Sequence, residues 1–136
     1  MSSQTHQGAC LCGAIQLSVT LDDASVGACH CSMCRKWNGG PLLTVHSSSA
    51  PQFSGATPAV YGSSDWAERG FCAKCGSHLF YRLKGGNFFA IPVGLLDGEQ
   101  AWSLDLQVYI DEKPSFYCFS NQTKNMTGAE VVAQFS

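Results

Sequence analysis

The length and composition of this chain exclude several classes of protein. With 136 residues it is long enough to bury a real core, and the sequence predicts a single domain over residues 1–136. Hydrophobic residues make up 45% of the chain and charged residues only 13%, which excludes a disordered protein. The net charge of -2 gives no reason to expect binding to nucleic acid or to an anionic membrane.

Alternation of apolar and polar residues with a period of two dominates the chain and predicts strands. In chain order, strands are predicted at 15–21, 42–46, 79–83, 89–95, 104–110 and 116–119. Helical periodicity is weak, so we expect only short helices, one around residues 32–37 and one near residues 129–134. Many short strands separated by turn residues favour a mainly β fold of antiparallel sheets.

The feature that needs an explanation is the set of eight cysteines, whose spacing favours metal binding over disulfide bonds. A secreted disulfide framework is the alternative, but residues 1–7 show neither the basic region nor the apolar run of an export signal. We therefore expect a cytoplasmic protein with reduced thiols. Cys118 stands alone and is expected to be a small buried hydrophobe. The other seven fall into three groups: Cys10 and Cys12; Cys29, Cys31 and Cys34; Cys72 and Cys75.

Two of these groups together make a closed set of four thiolates. The two-residue spacer between Cys72 and Cys75 lets both sulfurs point at one ion, and on an extended segment Cys10 and Cys12 share a face. Four thiolates are a usual ligand set of a structural zinc ion. The sequence predicts that such an ion ties the N-terminal strand to the middle of the chain and contributes to folding. Free core cysteines are the alternative interpretation.

The remaining group, Cys29, Cys31 and Cys34, offers three thiolates and no obvious fourth ligand. Three protein ligands with an open position are typical of catalytic zinc, which can deprotonate a thiol substrate or polarise a carbonyl. His30 is one candidate for a fourth ligand. An extended backbone would turn it away from its neighbours, towards a supporting or packing role instead.

The residues that follow Cys34 are candidates for substrate contact. Arg35 and Lys36 could offset the charge of the thiolates or bind a substrate carboxylate, or they could be an ordinary solvated pair. Gly39 and Gly40 would allow a ligand to approach the backbone closely.

Three segments carry these motifs in a specific order: Cys10-Leu-Cys12-Gly13, Cys29-His-Cys31-Ser-Met-Cys34-Arg35-Lys36-Trp-Asn-Gly39-Gly40, and Arg69-Gly70-Phe71-Cys72-Ala-Lys-Cys75-Gly76-Ser77-His-Leu79-Phe-Tyr81. Their order and flanking residues resemble the glutathione-dependent formaldehyde-activating enzyme family, to which the centromere protein V family is related. The similarity covers roughly residues 8–110.

The resemblance implies a zinc-bearing fold of stacked antiparallel β-sheets, similar to that of the Rab exchange accessory factors. It also implies two zinc ions, a structural one on the four-thiolate set and a catalytic one on the three-thiolate group. The namesake reaction of the family joins glutathione and formaldehyde into S-hydroxymethylglutathione, and its reverse is a carbon–sulfur lyase reaction. Two departures bear on the substrate. The family often carries a Pro and a His shortly before the last strand, reading roughly as His-Ile-aromatic, where this chain has Leu106-Gln107-Val108-Tyr109. It also often has Trp after the later Lys-x-Pro region, where this chain has Phe116.

Three hypotheses of function follow. The leading one is an enzyme in which zinc activates a thiol, glutathione by resemblance, for addition to a small aldehyde such as formaldehyde. Its partners are small molecules, with no nucleic acid and no membrane. The second is a non-catalytic interaction module with two structural zinc ions. The third is a redox protein that uses Cys29 and Cys31 and binds little metal.

Overall fold

The computed structural model describes residues 4–98 and 101–135; residues 1–3, part of the polar segment used in the export argument, lie outside them. The mainly β prediction is confirmed, and a helix is present at both predicted places. The described residues contain eleven strands and two α-helices: β1 (Gln4–Ala9), β2 (Ile15–Leu21), β3 (Ser25–Cys29), α1 (Ser32–Asn38), β4 (Leu42–Ser47), β5 (Gln52–Gly55), β6 (Ala59–Tyr61), β7 (Ala67–Phe71), β8 (His78–Leu83), β9 (Phe89–Pro92), β10 (Ser103–Val108), β11 (Lys124–Met126) and α2 (Gly128–Phe135).

The predicted strand at 116–119 is wrong, because this segment is a turn and loop. The ammonium of Lys113 donates hydrogen bonds to the carbonyl oxygens of Pro114 and Tyr117, which folds the segment back on itself. The rings of Phe116 and Tyr117 then pack edge to face, 4.9 Å apart, rather than standing on a β-ladder. Two other predicted strands are shorter than expected, because 3-10 turns at Val93–Leu95 and Ile110–Glu112 end them.

The chain divides into two compact units, which are described separately. Unit 1 comprises the described residues of Met1–Ala24 and Val45–Ala101, and unit 2 those of Ser25–Thr44 and Trp102–Ser136. The expectation of one domain over residues 1–136 stays a prediction. Neither helix in the described residues is long and apolar enough to cross a bilayer.

Unit 1 contains two sets of antiparallel strands, in the orders β1-β2-β5 and β9-β8-β7-β6. Alternate residues of β2, Ile15, Leu17 and Val19, are almost fully buried, as the alternation predicts. The ring of Phe53 in β5 lies 5.5 Å from the ring of Phe80 in β8. The stacked antiparallel arrangement is therefore confirmed in this unit.

Unit 2 departs from the antiparallel prediction. Its strand order is β11-β10-β3-β4, and β10 runs parallel to both of its neighbours, β3 and β11. Only the β3–β4 pair of this unit is antiparallel. One polar residue of β10, Gln107, is buried although the alternation placed it on the polar face, and its side chain is hydrogen-bonded to His30 and Thr123. This central strand positions the residues around the three-thiol group, which consists of Cys29, Cys31 and Cys34.

Candidate active site and metal centres

Unit 1 brings the four predicted thiols together. The sulfur atoms of Cys10, Cys12, Cys72 and Cys75 all lie within 4.8 Å of one another. The Cys10–Cys12 sulfur distance is 3.6 Å and the Cys12–Cys72 distance is 3.8 Å. A tetrahedral zinc ion with Zn–S bonds of about 2.3 Å requires sulfur–sulfur edges of about 3.8 Å. The geometry of this four-thiol group therefore fits the predicted ion.

Tight turns aim these sulfurs at one point. Gly76 has a φ of 81° and donates its N–H to the carbonyl of Cys72 at 2.7 Å, so the chain reverses directly after Cys75. The sulfur of Cys72 accepts the N–H of Cys75 at 3.5 Å. Hydrogen bonds from Ser77 lower the pKa of Cys75 to about 5. These donors favour the thiolate of Cys75, the form that binds zinc.

Unit 2 brings together the other three thiols, those of Cys29, Cys31 and Cys34, again within 4.8 Å of one another. Cys31 is the N-cap of α1, and its sulfur accepts the N–H of Cys34 at 3.3 Å. Hydrogen bonding to Cys31 and Cys34 raises the pKa of Cys29, so a cation is needed if all three are to be thiolates. Within residues 4–98 and 101–135, no fourth His, Cys, Asp or Glu joins this three-thiol group.

His30 lies between two of these cysteines, and its side chain is fully buried. Its Nε2 is 2.8 Å from Oε1 of Gln107, and its Nδ1 is 2.7 Å from the hydroxyl of Tyr117. Because the amide nitrogen of Gln107 donates to Thr123, Oε1 of Gln107 accepts, which assigns the imidazole proton to Nε2. Burial lowers the pKa of His30, which favours this neutral form. Both ring nitrogens are thus hydrogen-bonded to residues other than the thiols, which favours the predicted supporting or packing role of His30 over metal ligation.

The predicted substrate residues occupy different environments. Arg35 is half-buried and donates its Nε to the carbonyl oxygen of His30 at 2.8 Å, whereas Lys36 is exposed. Gly39 is the C-cap of α1 with a φ of 82°, so backbone conformation alone explains a glycine there. A Cβ atom added at Gly40 would meet nothing within 4 Å. A role of these four residues in binding substrate stays a prediction.

Cys118 is exposed, so the expectation of a buried hydrophobe is wrong. Its neighbours Tyr117 and Phe119 both turn towards His30, with ring centroids 5.6 Å and 6.1 Å from the imidazole. The residue between them therefore points outwards. Cys118 lies at a cavity of about 570 Å³ in unit 2, which Gln107 also lines.

Sequence reasoning missed two contributors to the three-thiol group. The ring of Tyr109 packs against the buried cluster formed by Cys31, Cys34 and Leu42. Glu112 accepts the N–H of the first residue of α1 at 2.9 Å. The alternating pattern placed Tyr109 on a polar strand face, and no local signal marks the left-handed conformation that turns it towards the thiols.

Comparison with known proteins shows the family of this chain. The sequence model described as glutathione-dependent formaldehyde-activating enzyme matches residues 5–112. The chain belongs to this family. It is 36% identical over 129 residues to a protein of Schizosaccharomyces pombe named an uncharacterized lyase, covering 93% of this chain and 94% of that protein. A crystal structure of a Rhodobacter sphaeroides protein shares the fold, with a TM-score of 0.61, 21% identity, and coverage of 74% of this chain and 98% of that one.

Membership of the formaldehyde-activating family, with a relative named as a lyase, supports a formaldehyde-activating or lyase role. The two cysteine groups give this chain the means to bind metal. Within the segment in which the sequence was expected to depart from the family, Gln107 lies inside the protein and holds His30. The other departure, Phe116, is 81% exposed.

Loss of the Tyr117 hydroxyl tests the support around His30. We expect the Tyr117→Phe variant to lose about 1–3 kcal/mol of unfolding free energy, because the buried Nδ1 of His30 loses its donor. Unfolding in urea measures this loss. The control is Tyr61→Phe, in which the tyrosine is 56% exposed and a change within about 0.5 kcal/mol is expected. Equal stability of the two variants would contradict the assignment.

Proposed function

We propose that this protein is a zinc-dependent carbon–sulfur lyase and synthase that adds a thiol, glutathione, to a small aldehyde such as formaldehyde. The observation that carries the proposal is the three-thiol group, which has three close sulfur ligands and no fourth His, Cys, Asp or Glu among the described residues. Three protein ligands are the arrangement of catalytic zinc, in which the fourth position is left for water or substrate. Membership of the formaldehyde-activating family supports the choice of thiol and aldehyde.

The exposure of the three thiols differs in a way that suits a substrate. Cys31 and Cys34 are 8% and 4% exposed, whereas Cys29 is only half-buried. Solvent therefore reaches the three-thiol group on the Cys29 side. A zinc ion held by these thiols would supply the positive charge that keeps a bound substrate thiol ionised at neutral pH.

The addition itself is simple and balanced. The thiol loses its proton, a carbon–sulfur bond forms, the π pair of the carbonyl moves to oxygen, and that oxygen takes up a proton. The task of this chain is to hold the two reactants together, because positioning removes much of the entropic barrier of a two-molecule reaction. Arg35 and Lys36 follow the last thiol directly, and we propose that they bind the carboxylates of glutathione.

The proposal assigns a different task to the four-thiol group. Its four sulfurs are as many ligands as a tetrahedral zinc ion takes, which would leave no position for a substrate. It joins cysteines that are 60 residues apart in the chain, which is the kind of connection that stabilises a small fold. We propose that this group holds a structural zinc ion.

The non-catalytic alternative also has an observation in its favour, since two of the three thiols in unit 2 are almost fully buried, as in a structural site. Catalysis distinguishes the two. We expect the purified protein to hold two zinc ions per chain and to accelerate the exchange between ¹³C-formaldehyde and S-hydroxymethylglutathione, followed by NMR exchange spectroscopy. Because this addition also proceeds without a catalyst, the reference is the same mixture without protein, and S-methylglutathione is the control that lacks a thiol. Two zinc ions without acceleration would favour the module.

A further inference from the structure

Tyr109 has an unusual backbone conformation beside the three-thiol group. With a φ of 54° and a ψ of 43°, it is the one residue other than glycine with a positive φ among the described residues. For a bulky aromatic residue this left-handed conformation is a genuine outlier. Such outliers persist only where the surroundings hold them, and they concentrate at functional sites.

The surroundings hold Tyr109 from several directions. Its carbonyl oxygen accepts the N–H of Glu112 at 3.0 Å, and the carbonyl of the preceding residue, Val108, accepts the N–H of His30 at 3.2 Å. Its ring lies against Gly128 at the start of α2, where an added Cβ would come within 2.6 Å of Cε1 of the ring. The N–H of Gly128 is itself bonded to Asp111 at 2.8 Å. The hydrogen bonds therefore hold the backbone at Tyr109, and Gly128 limits the movement of its ring.

The position of the ring matters because of what it covers. Tyr109 and Cys29, both half-buried, pack against the buried cluster of Cys31, Cys34 and Leu42. Cys29 is therefore the most accessible of the three thiols, and Tyr109 is the partly exposed aromatic residue of the same cluster.

We infer that the ring of Tyr109 walls the substrate position beside the three-thiol group and restricts the aldehyde to the smallest members of its class. This inference rests on the proposed function and adds the residue that determines its specificity. A rigid aromatic wall discriminates by size, and each additional methylene that must fit against such a wall typically changes kcat/KM by about 10- to 200-fold.

The test compares formaldehyde, acetaldehyde and propionaldehyde as partners of glutathione in wild type, Tyr109→Phe and Tyr109→Asn. Asparagine tolerates the left-handed conformation, so the Asn variant removes the ring and keeps the backbone. We expect its preference for formaldehyde over propionaldehyde, measured as the ratio of kcat/KM values, to fall at least about tenfold. The Phe variant retains the ring and should keep the preference of wild type. An unchanged preference in Tyr109→Asn would overturn the inference.

A second measurement does not depend on turnover. In the protein as purified, alkylation of Cys29 by iodoacetamide and by a bulky maleimide is followed by mass spectrometry, with the exposed Cys118 as internal reference. Loss of the wall should raise the rate of alkylation of Cys29 by the bulky maleimide more than the rate by iodoacetamide. The ratio of the two rates at Cys118 should not change. This result in a protein without thiol–aldehyde activity would support the wall and refute the proposed function. If the protein is active but Tyr109→Asn changes neither the preference among aldehydes nor the preference between alkylating reagents, the proposed function is supported and the wall is refuted.

Gly128 provides a variant that acts on the wall from α2. A methyl group 2.6 Å from a ring carbon is well inside the normal contact distance of about 3.5–4.0 Å, so Gly128→Ala must displace the ring. In the wild-type background we expect this variant to change the preference among aldehydes and the preference between alkylating reagents at Cys29. In the Tyr109→Asn background we expect it to change neither. Gly94→Ala is the control, because a Cβ there meets nothing within 4 Å. An effect of Gly128→Ala that persists without the ring would contradict the inference.

Discussion

Replacement of Cys31 by serine is expected to abolish thiol–aldehyde addition and to remove one metal ion per chain, while the protein remains folded. Cys31 has two tasks, as a member of the three-thiol group and as the N-cap of α1, whose sulfur accepts the N–H of Cys34. Serine is a good N-cap, so the helix keeps its start. A neutral hydroxyl, however, is a poor replacement for a thiolate on zinc. Since loss of a mere supporting partner of a metal ligand costs 10- to 100-fold, loss of a ligand should lower activity by more than about a hundredfold.

Three measurements check this expectation: elemental analysis of bound zinc, the NMR exchange rate, and the unfolding midpoint in urea. The matched control is Cys118→Ser, which changes an exposed thiol outside both groups. It should keep two ions, full activity and the stability of wild type. If Cys31→Ser retained full activity, the assignment of chemistry to the three-thiol group would be wrong.

The second large effect is expected in unit 1, where Cys72→Ser should cost several kcal/mol of unfolding free energy. Cys72 is 1% exposed, and its sulfur lies 3.8 Å from that of Cys12, at the centre of the four-thiol group. Without this thiolate the ion is lost, and the free energy of its binding no longer opposes unfolding.

Urea unfolding and zinc content measure this effect. Cys31→Ser is the informative comparison, since it should lose an ion and the activity but much less unfolding free energy than Cys72→Ser. Cys72→Ser should lose stability first, and its activity should decline only as far as it unfolds. A Cys72→Ser protein as stable as Cys118→Ser would show that the four-thiol group has no structural task.

Local patterns in the sequence predicted a good part of this molecule. The alternation from Ile15 to Leu21 coincides with β2, because burial on one face of a strand repeats every second residue. The cysteine groups could also be predicted, since pairs separated by one or two residues converge on one point through short turns. The pairing of Cys10 and Cys12 with cysteines 60 residues later rested on ligand count, and the distances agree with it.

Features that depend on distant residues could not be predicted. His30 binds Gln107 and Tyr117, which lie 77 and 87 residues further along the chain. The parallel placement of β10 beside β3 brings Gln107 to His30, and the loop that follows β10 brings Tyr117. The outward position of Cys118 has the same origin, because it follows from the two aromatic neighbours that turn towards His30. The left-handed conformation of Tyr109 had no local sign, because a non-glycine residue adopts it only under tertiary constraint.

The discontinuity of unit 2 has a consequence for the order of events during synthesis. Synthesis of Cys75 completes the four-thiol group before the last third of the chain is made, and domains generally fold as the chain emerges. The three-thiol group is synthesised earlier, ending at Cys34, but Gln107, Tyr109 and Gly128 come from the last third of the chain. The newly made chain can therefore assemble its four-thiol group first, and the surroundings of the three-thiol group are complete only when translation is almost finished.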